Sequence, residues 1–190
     1  MKKTNVQKIV GLAILSAIVI VLQLIGSYIK VGPVSISLVL IPIVIGAAVY
    51  GRMAGAYLGL VFSIVVLLQP DTQFFYNMSI VGTILIVLIK GIGSGLVSGI
   101  VYKLFSKKNQ YVSVLLSAIV CPLVNTGIFS LGCRLFFWDE LATYAVGSGS
   151  SSTIIYFISV FIGFNFLVEL GVNIICAPVI LRILRAAKIK

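Results

Sequence analysis

Hydrophobic residues run through this chain in long stretches separated by short polar segments, a pattern that predicts membrane-spanning helices. A transmembrane helix needs about 20 apolar residues, and six stretches come near or exceed this length. The predicted spans cover about residues 9–27, 36–50, 54–68, 78–105, 111–137 and 153–184. The second is short and contains Pro42 and Gly46, so we expect it to be kinked or only partly embedded in the bilayer.

The segments between spans predict two different outer loops. Residues 69–77 (QPDTQFFYN) mix polar and aromatic side chains, so we expect an ordered external loop. Residues 138–152 carry a GSGSSS run and are expected to form a mobile loop. The fourth stretch, 78–105, is longer than a bilayer requires, which predicts a helix that is tilted, bent at its glycines or extended into water.

Composition supports an integral membrane protein with one transmembrane domain, residues 1–190. The chain is 61% hydrophobic and 9% charged, with a mean hydropathy of +1.23. Soluble domains carry about a quarter charged residues. The predicted fold class is therefore an all-α membrane protein, a bundle of six transmembrane helices.

The basic residues lie almost entirely on one side of this predicted bundle. With six spans, both termini share a side with the turns at residue 52 and at 103–110. That side holds 11 of the 14 basic residues: Lys2, Lys3, Lys8, Arg52, Lys103, Lys107, Lys108, Arg182, Arg185, Lys188 and Lys190. The positive-inside rule then predicts cytoplasmic termini and places Asp71, Asp139 and Glu140 outside. The net charge of +10 reflects this orientation, and no nucleic-acid partner is expected.

The sequence offers little for catalysis or metal binding. Histidine is absent, so the commonest general base and metal ligand is missing. Cys121, Cys133 and Cys176 have no paired spacing and are expected to be small core residues. The cluster Gly91-Ile-Gly-Ser-Gly95 lies in an apolar span without a preceding strand, so it does not predict a nucleotide loop. We therefore predict no enzyme activity, no metal and no cofactor.

Polar residues in the last stretch are the first candidates for function. Asn165, Glu169 and Asn173 stand four residues apart, so they share one face of a helix. A carboxylate inside a bilayer is costly unless it faces the protein interior and finds a partner. Lys90, near the middle of the fourth stretch, is the matching cation. Either Lys90 and Glu169 form a structural ion pair, or Lys90 binds an anionic ligand group while Glu169 orients Lys90 or accepts a ligand proton.

Further polar residues occur in the fifth and sixth stretches. Asn125 follows Pro122, which opens the helix locally, so its amide either satisfies the opened backbone or contacts a ligand. Asn165 and Asn173 are expected chiefly to form interhelical hydrogen bonds. Arg134 lies near the outer end of its span and is expected to reach the interface, with pairing to an acidic residue or to an anionic ligand as alternatives.

Aromatic and polar side chains crowd the outer side. The group consists of Gln69, Asp71, Phe74, Phe75, Tyr76, Asn77 and Trp138. Two interpretations fit it: a belt at the membrane interface, or a lid over a pocket that opens outward.

Small residues recur at four-residue spacing in three spans. They are Ala13 and Ala17 in the first, Gly55 and Gly59 in the third, and Gly91, Gly95 and Gly99 in the fourth. Such spacing lets helices approach closely, either within the bundle or against a separate membrane partner. Ala13 and Ala17 are the best candidates for partner docking, because an N-terminal span can lie at the edge of a bundle.

Over nearly its whole length the chain resembles the substrate-binding S components of energy-coupling factor (ECF) vitamin transporters, in the group that includes riboflavin-type components. The resemblance rests on the six spans, the basic face and several segments. These are Ala13-Ile-Leu-Ser-Ala17, GPVSISLVLIPIVIGAAVYG, YGRMAG, Lys90 with the glycines after it, PLVNTG and NFLVELGVN. The alanine pattern often continues for four more residues in this family, whereas Val21 stands here.

The resemblance implies vitamin capture in a bacterial cell membrane, followed by delivery through a membrane scaffold (the T component) and two ATPases. Ala13 and Ala17 would dock the T component. The candidate ligand-binding residues are Lys90, Asn125, Asn165, Glu169, Arg134, Phe75, Tyr76 and Trp138.

The implied ligand is small and polar with a carboxylate. Pantothenate-type members are the most similar, while riboflavin, pyridoxine, folate, lipoate and cobalamin stay open as alternatives. Two other classes also stay open: a stand-alone facilitator for a small anionic metabolite, and a membrane assembly protein that binds no small molecule.

Overall fold

Helices make up nearly all of the computed structural model, which describes residues 5–28, 30–31, 34–35 and 38–188. The α-helices are α1 (Asn5–Gly26), α2 (Leu40–Tyr50), α3 (Arg52–Leu67), α4 (Gln73–Tyr76), α5 (Ile80–Phe105), α6 (Gln110–Phe136), α7 (Trp138–Gly147), α8 (Thr153–Phe157) and α9 (Gly163–Lys188). A 3-10 turn (Pro70–Thr72) precedes α4, and a π-helical turn (Ile158–Ile162) joins α8 to α9. Two short strands, β1 (Lys30–Val31) and β2 (Val34–Ser35), pair antiparallel.

Short polar side chains cap the N-termini of the long helices α5 and α6. Ser79 Oγ accepts a hydrogen bond of 3.2 Å from the backbone N–H of Gly82 at the start of α5. Asn109 Oδ1 accepts two, from Tyr111 at 2.9 Å and Val112 at 3.2 Å, at the start of α6. These contacts satisfy N–H groups that have no partner within the helix.

The first helices reverse direction through tight turns. Gly11 of α1 lies beside Tyr50 at the end of α2, and Leu15 lies beside Gly46 one turn earlier, so α1 and α2 are antiparallel. Gly51 adopts a φ of +96° between α2 and α3. A side chain would be strained there, and glycine lets the chain turn back at once.

Glycine backbones hold α3 against α5. A Cβ at Gly59 would collide with the carbonyl of Gly91, and one at Gly55 with the carbonyl of Gly95, so these helices run antiparallel in close contact. Ser63 Oγ also donates a hydrogen bond of 2.7 Å to the backbone of α5. Packing within the bundle, one of the two interpretations of these glycines, is therefore confirmed for α3 and α5.

The pairing of α5 with α6 uses serines. Ser98 and Ser117 each donate a hydroxyl hydrogen bond to the other's carbonyl, at 3.3 and 3.1 Å. Gly82 lies against Phe136 at the opposite end of the pair, so α5 and α6 are antiparallel. In an apolar setting such bonds satisfy hydroxyls that have no water to bind.

Two buried clusters show that α9 runs opposite to α6. The larger apolar cluster includes Val114 near the start of α6 and Leu184 near the end of α9. The smaller, largely aromatic cluster includes Cys133 near the end of α6 and Phe161 just before α9. Because each helix enters one cluster and leaves through the other in opposite order, the two are antiparallel.

Helix length supports four membrane-spanning segments directly. Within the described residues, four helices are long and apolar enough to cross a membrane, and α3 with the short helix after it makes a fifth if that pair, bent by 74°, counts as one span. The 11 residues of α2 extend only about 16 Å at about 1.5 Å per residue, against about 30 Å of hydrocarbon. The predicted count of six spans is therefore not confirmed, although the membrane-type helical fold is.

Two predicted elements differ from the structure near the aromatic cluster. The loop predicted over 138–152 is largely helical, because α7 buries Leu141 and Ala145 four residues apart and carries acidic residues in its first turn. The segment 69–77 is ordered as short helical turns. Pro42 does not break α2, because it stands in the first turn, where a missing N–H leaves no hydrogen bond unmade.

Candidate functional site

A cavity of about 80 Å³ opens between α1, α3, α5, α6 and α9. A single water needs about 10–15 Å³ of such space, so this cavity holds several. Its described polar lining consists of Gln23, Gln69, Asp71, Thr72, Thr83, Lys90, Asn125, Thr126, Asn165 and Glu169. Its apolar lining consists of Val66, Phe75, Ile86, Val87, Phe129, Phe137, Phe161, Ile162 and Phe166.

The charged centre of the cavity is formed by Lys90 of α5 and Glu169 of α9. The Lys90 ammonium lies 5.1 Å from the ring centroid of Phe129 and 5.9 Å from that of Phe62. Glu169 is 5% exposed, and its carboxylate attracts the Lys90 ammonium. Ring faces and an opposite charge both offset the cost of holding a cation away from water. Since both groups line the same cavity, a structural pair and a ligand-binding cation are both compatible with this placement.

One face of the last helix supplies a whole wall of the cavity. The π-helical turn offsets the helix just before α9 and brings Phe161 and Ile162 into line with Asn165, Phe166 and Glu169. Such turns often occur at functional sites. The sequence predicted an uninterrupted helix here and missed the turn.

The predicted polar stripe on α9 is confirmed as an inward face. Asn165, Glu169 and Asn173 are all buried. Asn165 and Glu169 line the cavity, whereas Asn173 lies one turn beyond the described lining. The Asn173 amide donates a hydrogen bond of 2.8 Å to the Glu169 carbonyl, a contact within its own helix.

Asn125 of α6 reaches the cavity from the opposite side. It follows Pro122, which lies inside α6, and it is 5% exposed. Its Oδ1 atom is buried and has no hydrogen-bond partner among the described residues. The two roles predicted for this amide, satisfying the opened backbone and contacting a ligand, both stay predictions.

Gln69 was named from the sequence, whereas Gln23 and the hydrogen bonds between these two glutamines were missed. Gln23 Nε2 donates a hydrogen bond of 2.9 Å to Gln69 Oε1, and Gln69 Nε2 donates one of 3.0 Å to the Gln23 carbonyl. Both side chains are buried and both line the cavity. Gln23 is the largest polar side chain in the first apolar stretch, which is the signal that could have identified it.

Aromatic rings close one end of the cavity. Phe75 contacts Phe129, Phe137 and Phe161, with ring centroids 5.6, 5.7 and 5.9 Å apart. Distances in this range are typical of favourable ring pairs. All four rings line the cavity, so the interpretation of Phe75 as part of a covering over a pocket agrees with its position.

Three other predicted ligand contacts lie elsewhere. Tyr76 donates its hydroxyl to the Leu67 carbonyl at 3.0 Å. Arg134 is exposed, and its guanidinium lies 4.5 Å from the ring centroid of Trp138. The described lining of the cavity includes none of Tyr76, Arg134 and Trp138, and a role for them in ligand binding stays a prediction.

A second cavity, of about 540 Å³, adjoins the first. It lies between the C-terminal ends of α1 and α3 and is lined mainly by aliphatic residues such as Leu24 and Leu68. Gln69 and Asp71 line both cavities, so they stand in the wall between them.

The alanines predicted to dock a partner lie on the outer surface. Ala13 and Ala17 are exposed on α1, where Ile14 and Val21 are also exposed. Because α1 buries few of its residues, it lies at the edge of the bundle, as predicted.

Comparison with known families gives one match. A family model described as ECF transporter, substrate-specific component, matches residues 7–181, which include every residue of the described cavity lining. No curated protein and no solved structure matches the chain significantly.

Proposed function

The chain belongs to the substrate-specific (S) components of ECF transporters, and from this premise we propose that its cavity captures a small monocarboxylate vitamin, with pantothenate as the leading candidate. The observation that carries the proposal is the position of Lys90. Its ammonium lies in the wall of a cavity otherwise built from aromatic, aliphatic and neutral polar side chains, apart from two carboxylates. A transported small molecule is what a substrate-specific subunit binds.

Lys90 is the group that would recognise the carboxylate. Charge-assisted hydrogen bonds are stronger and shorter than neutral ones, and more so away from water. Glu169 holds the Lys90 side chain toward the cavity, and Asn165 beside it offers an amide. The Phe75 and Phe129 rings pack against the carbon skeleton of the ligand.

The charges of the lining favour a ligand with a single negative charge. Lys90 contributes one positive charge, and Asp71 and Glu169 contribute one negative charge each, so the described lining has a formal charge of −1 (+1 − 2). This net charge disfavours anions in general, and Lys90 is the one cation in the described lining that can pair with a carboxylate. A second negative charge on the ligand would face the carboxylates of Asp71 and Glu169 without a countercharge. This argument favours a monocarboxylate over folate or a phosphorylated compound.

We further propose six membrane crossings with both termini in the cytoplasm of a bacterial cell. The alternating directions of α1, α2, α3, α5, α6 and α9 support an even number. Basic residues lie at the helix ends and in the turn that would face inward, among them Arg52, Lys103, Lys107, Arg182 and Arg185. A T component would dock on Ala13 and Ala17, and two ATPases would supply the energy for delivery.

The test is a thermal-shift screen of the detergent-purified chain against water-soluble vitamins. A ligand that binds the folded state raises the melting temperature by mass action. We expect pantothenate to raise it for the unmodified chain and for Lys107→Ala, which removes an exposed lysine in the α5–α6 turn. Lys90→Met should lose at least about 100-fold in affinity, the loss expected when a buried charge contact is removed.

A double variant separates binding from folding. Lys90→Met alone leaves the Glu169 carboxylate without its countercharge, whereas Lys90→Met with Glu169→Gln removes both charges and keeps the volume. A folded double variant that no longer binds pantothenate supports the proposal. Unchanged affinity in that variant, or no response to any vitamin by the unmodified chain, would contradict it.

A further inference from the structure

Two oxygen atoms in the cavity wall accept no hydrogen bond from any described residue. Gln23 Oε1 on α1 and Asn125 Oδ1 on α6 are buried, and neither has a partner among the described residues. The residues are 1% and 5% exposed, and both line the cavity. A buried acceptor without a partner has lost its hydrogen bonds to water and has none in the protein to replace them. Native structures rarely contain such a group without a reason.

The orientation of the Gln23 amide is determined by its neighbours. Gln69 Nε2 donates to the backbone carbonyl of Gln23, which can only accept, so the Gln69 amide has one orientation. Gln69 Oε1 then accepts from Gln23 Nε2. A rotated Gln23 amide would bring two oxygens together. Gln23 Oε1 is therefore the atom of this pair that is left without a donor.

Two threonine hydroxyls in the lining already donate their protons within the protein. Thr83 Oγ1 donates to the Ser79 carbonyl at 2.7 Å, and Thr72 Oγ1 donates to the Val66 carbonyl at 2.5 Å. At Gln23 and Asn125, the buried side-chain atoms that have no partner among the described residues are both acceptors. A ligand that satisfies them must bring donors.

We propose that Gln23 Oε1 and Asn125 Oδ1 accept hydrogen bonds from hydroxyl or amide N–H groups of the ligand, and so select a donor-bearing carboxylate over a carboxylate with a purely apolar tail. This inference rests on the proposed function, in which Lys90 binds the carboxylate of the same ligand. The two acceptors lie on helices in different walls of the cavity. They would bind the hydroxyl or amide N–H groups of the ligand, while Lys90 binds its carboxylate.

The experiment compares two monocarboxylates by isothermal titration. Pantothenate carries hydroxyl groups and an amide N–H, whereas lipoate carries none of these donors. We expect the unmodified chain to bind pantothenate at least about tenfold more tightly. Gln23→Met should weaken pantothenate about tenfold, roughly the contribution of one buried hydrogen bond, and leave lipoate unchanged. Gln73→Met, an exposed glutamine of α4 outside the described lining, is the matched control.

The selectivity ratio separates ligand contact from a structural role. If Gln23 only supports the fold, Gln23→Met will weaken both ligands equally, and the inference fails. Because that substitution also removes a partner from Gln69, the double variant Gln23→Met/Gln69→Met and the independent variant Asn125→Leu should show the same selective loss. Equal binding of lipoate and pantothenate by the unmodified chain would overturn this inference alone, whereas failure of every vitamin to bind would overturn the proposed function.

Discussion

The two sides of α5 pack in opposite ways. Toward α3, Gly91 and Gly95 bring the two backbones into contact and leave no space between them. Toward α6 and α9, Lys90 and large aromatic rings meet around a cavity. The same helix therefore contributes a rigid, close-packed side and a side that can hold a ligand. We call these the glycine side and the cavity side.

The difference follows from side-chain size. Two facing glycines let helices approach until their backbones touch, and dispersion and weak Cα hydrogen bonds then stabilise the contact. Rings such as Phe75 and Phe129 cannot fill an irregular space completely, and the polar groups among them need partners. A close-packed glycine side gives the cavity side a fixed support, which positions its polar groups for binding.

The largest effect on stability is expected when a bulky side chain is added on the glycine side. We expect Gly59→Leu to destabilise the bundle by about 3 kcal/mol or more, at the upper end for overpacked cores, because the new Cβ meets the Gly91 carbonyl. Thermal unfolding in detergent measures the loss. Gly127→Leu is the control, because a Cβ there has open space around it. Equal melting temperatures for the two variants would show that the glycine contact is not close.

A smaller effect on stability is expected at Arg134, which lies outside the described cavity lining. Arg134→Ala removes the cation–π contact with Trp138, which should cost about 0.5–1 kcal/mol of stability at this exposed site. Pantothenate affinity should be unchanged, because the described cavity lining does not include Arg134. Titration of the variant provides the check, with Arg134→Lys as a conservative comparison. A loss of affinity above about tenfold would instead make Arg134 a ligand contact.

The smallest effect on folding is expected on the outer surface of α1. Ala13→Leu with Ala17→Leu adds volume to exposed positions, and such changes usually alter stability by less than about 0.5 kcal/mol. Vitamin binding should persist, while co-purification with the T component is lost because the added side chains keep the helices apart. Ala13→Ser with Ala17→Ser keeps the surface small and should retain the complex. Retention by the leucine variant would place the docking surface elsewhere.

Much of the cavity side could be predicted because each signal is local. Lys90 and Glu169 stand out as charges within apolar spans, and a bilayer makes such residues costly unless they face inward. The spacing of Asn165, Glu169 and Asn173 requires only the helical repeat to place them on one face. The same repeat places Gly55 and Gly59 on one face of α3, and Gly91 and Gly95 on one face of α5.

The remaining features depend on contacts between distant parts of the chain. Gln23 and Gln69 are 46 residues apart, and only folding shows that they bond to each other and leave one oxygen without a donor. The π-helical turn at 158–162 and the buried face of α7 depend on contacts with other segments, which the local sequence does not identify.

Local repeats and the bilayer thus determined which segments are helices, which faces turn inward and which charges must find partners, because these follow from spacing and solvent alone. Only the tertiary structure decided which side chains meet around the cavity and that Arg134 packs on Trp138 outside the described cavity lining. It also left Gln23 Oε1 and Asn125 Oδ1 buried without a partner among the described residues. Those outcomes depend on how six helical segments pack in three dimensions, where one residue's partner can lie anywhere along the chain.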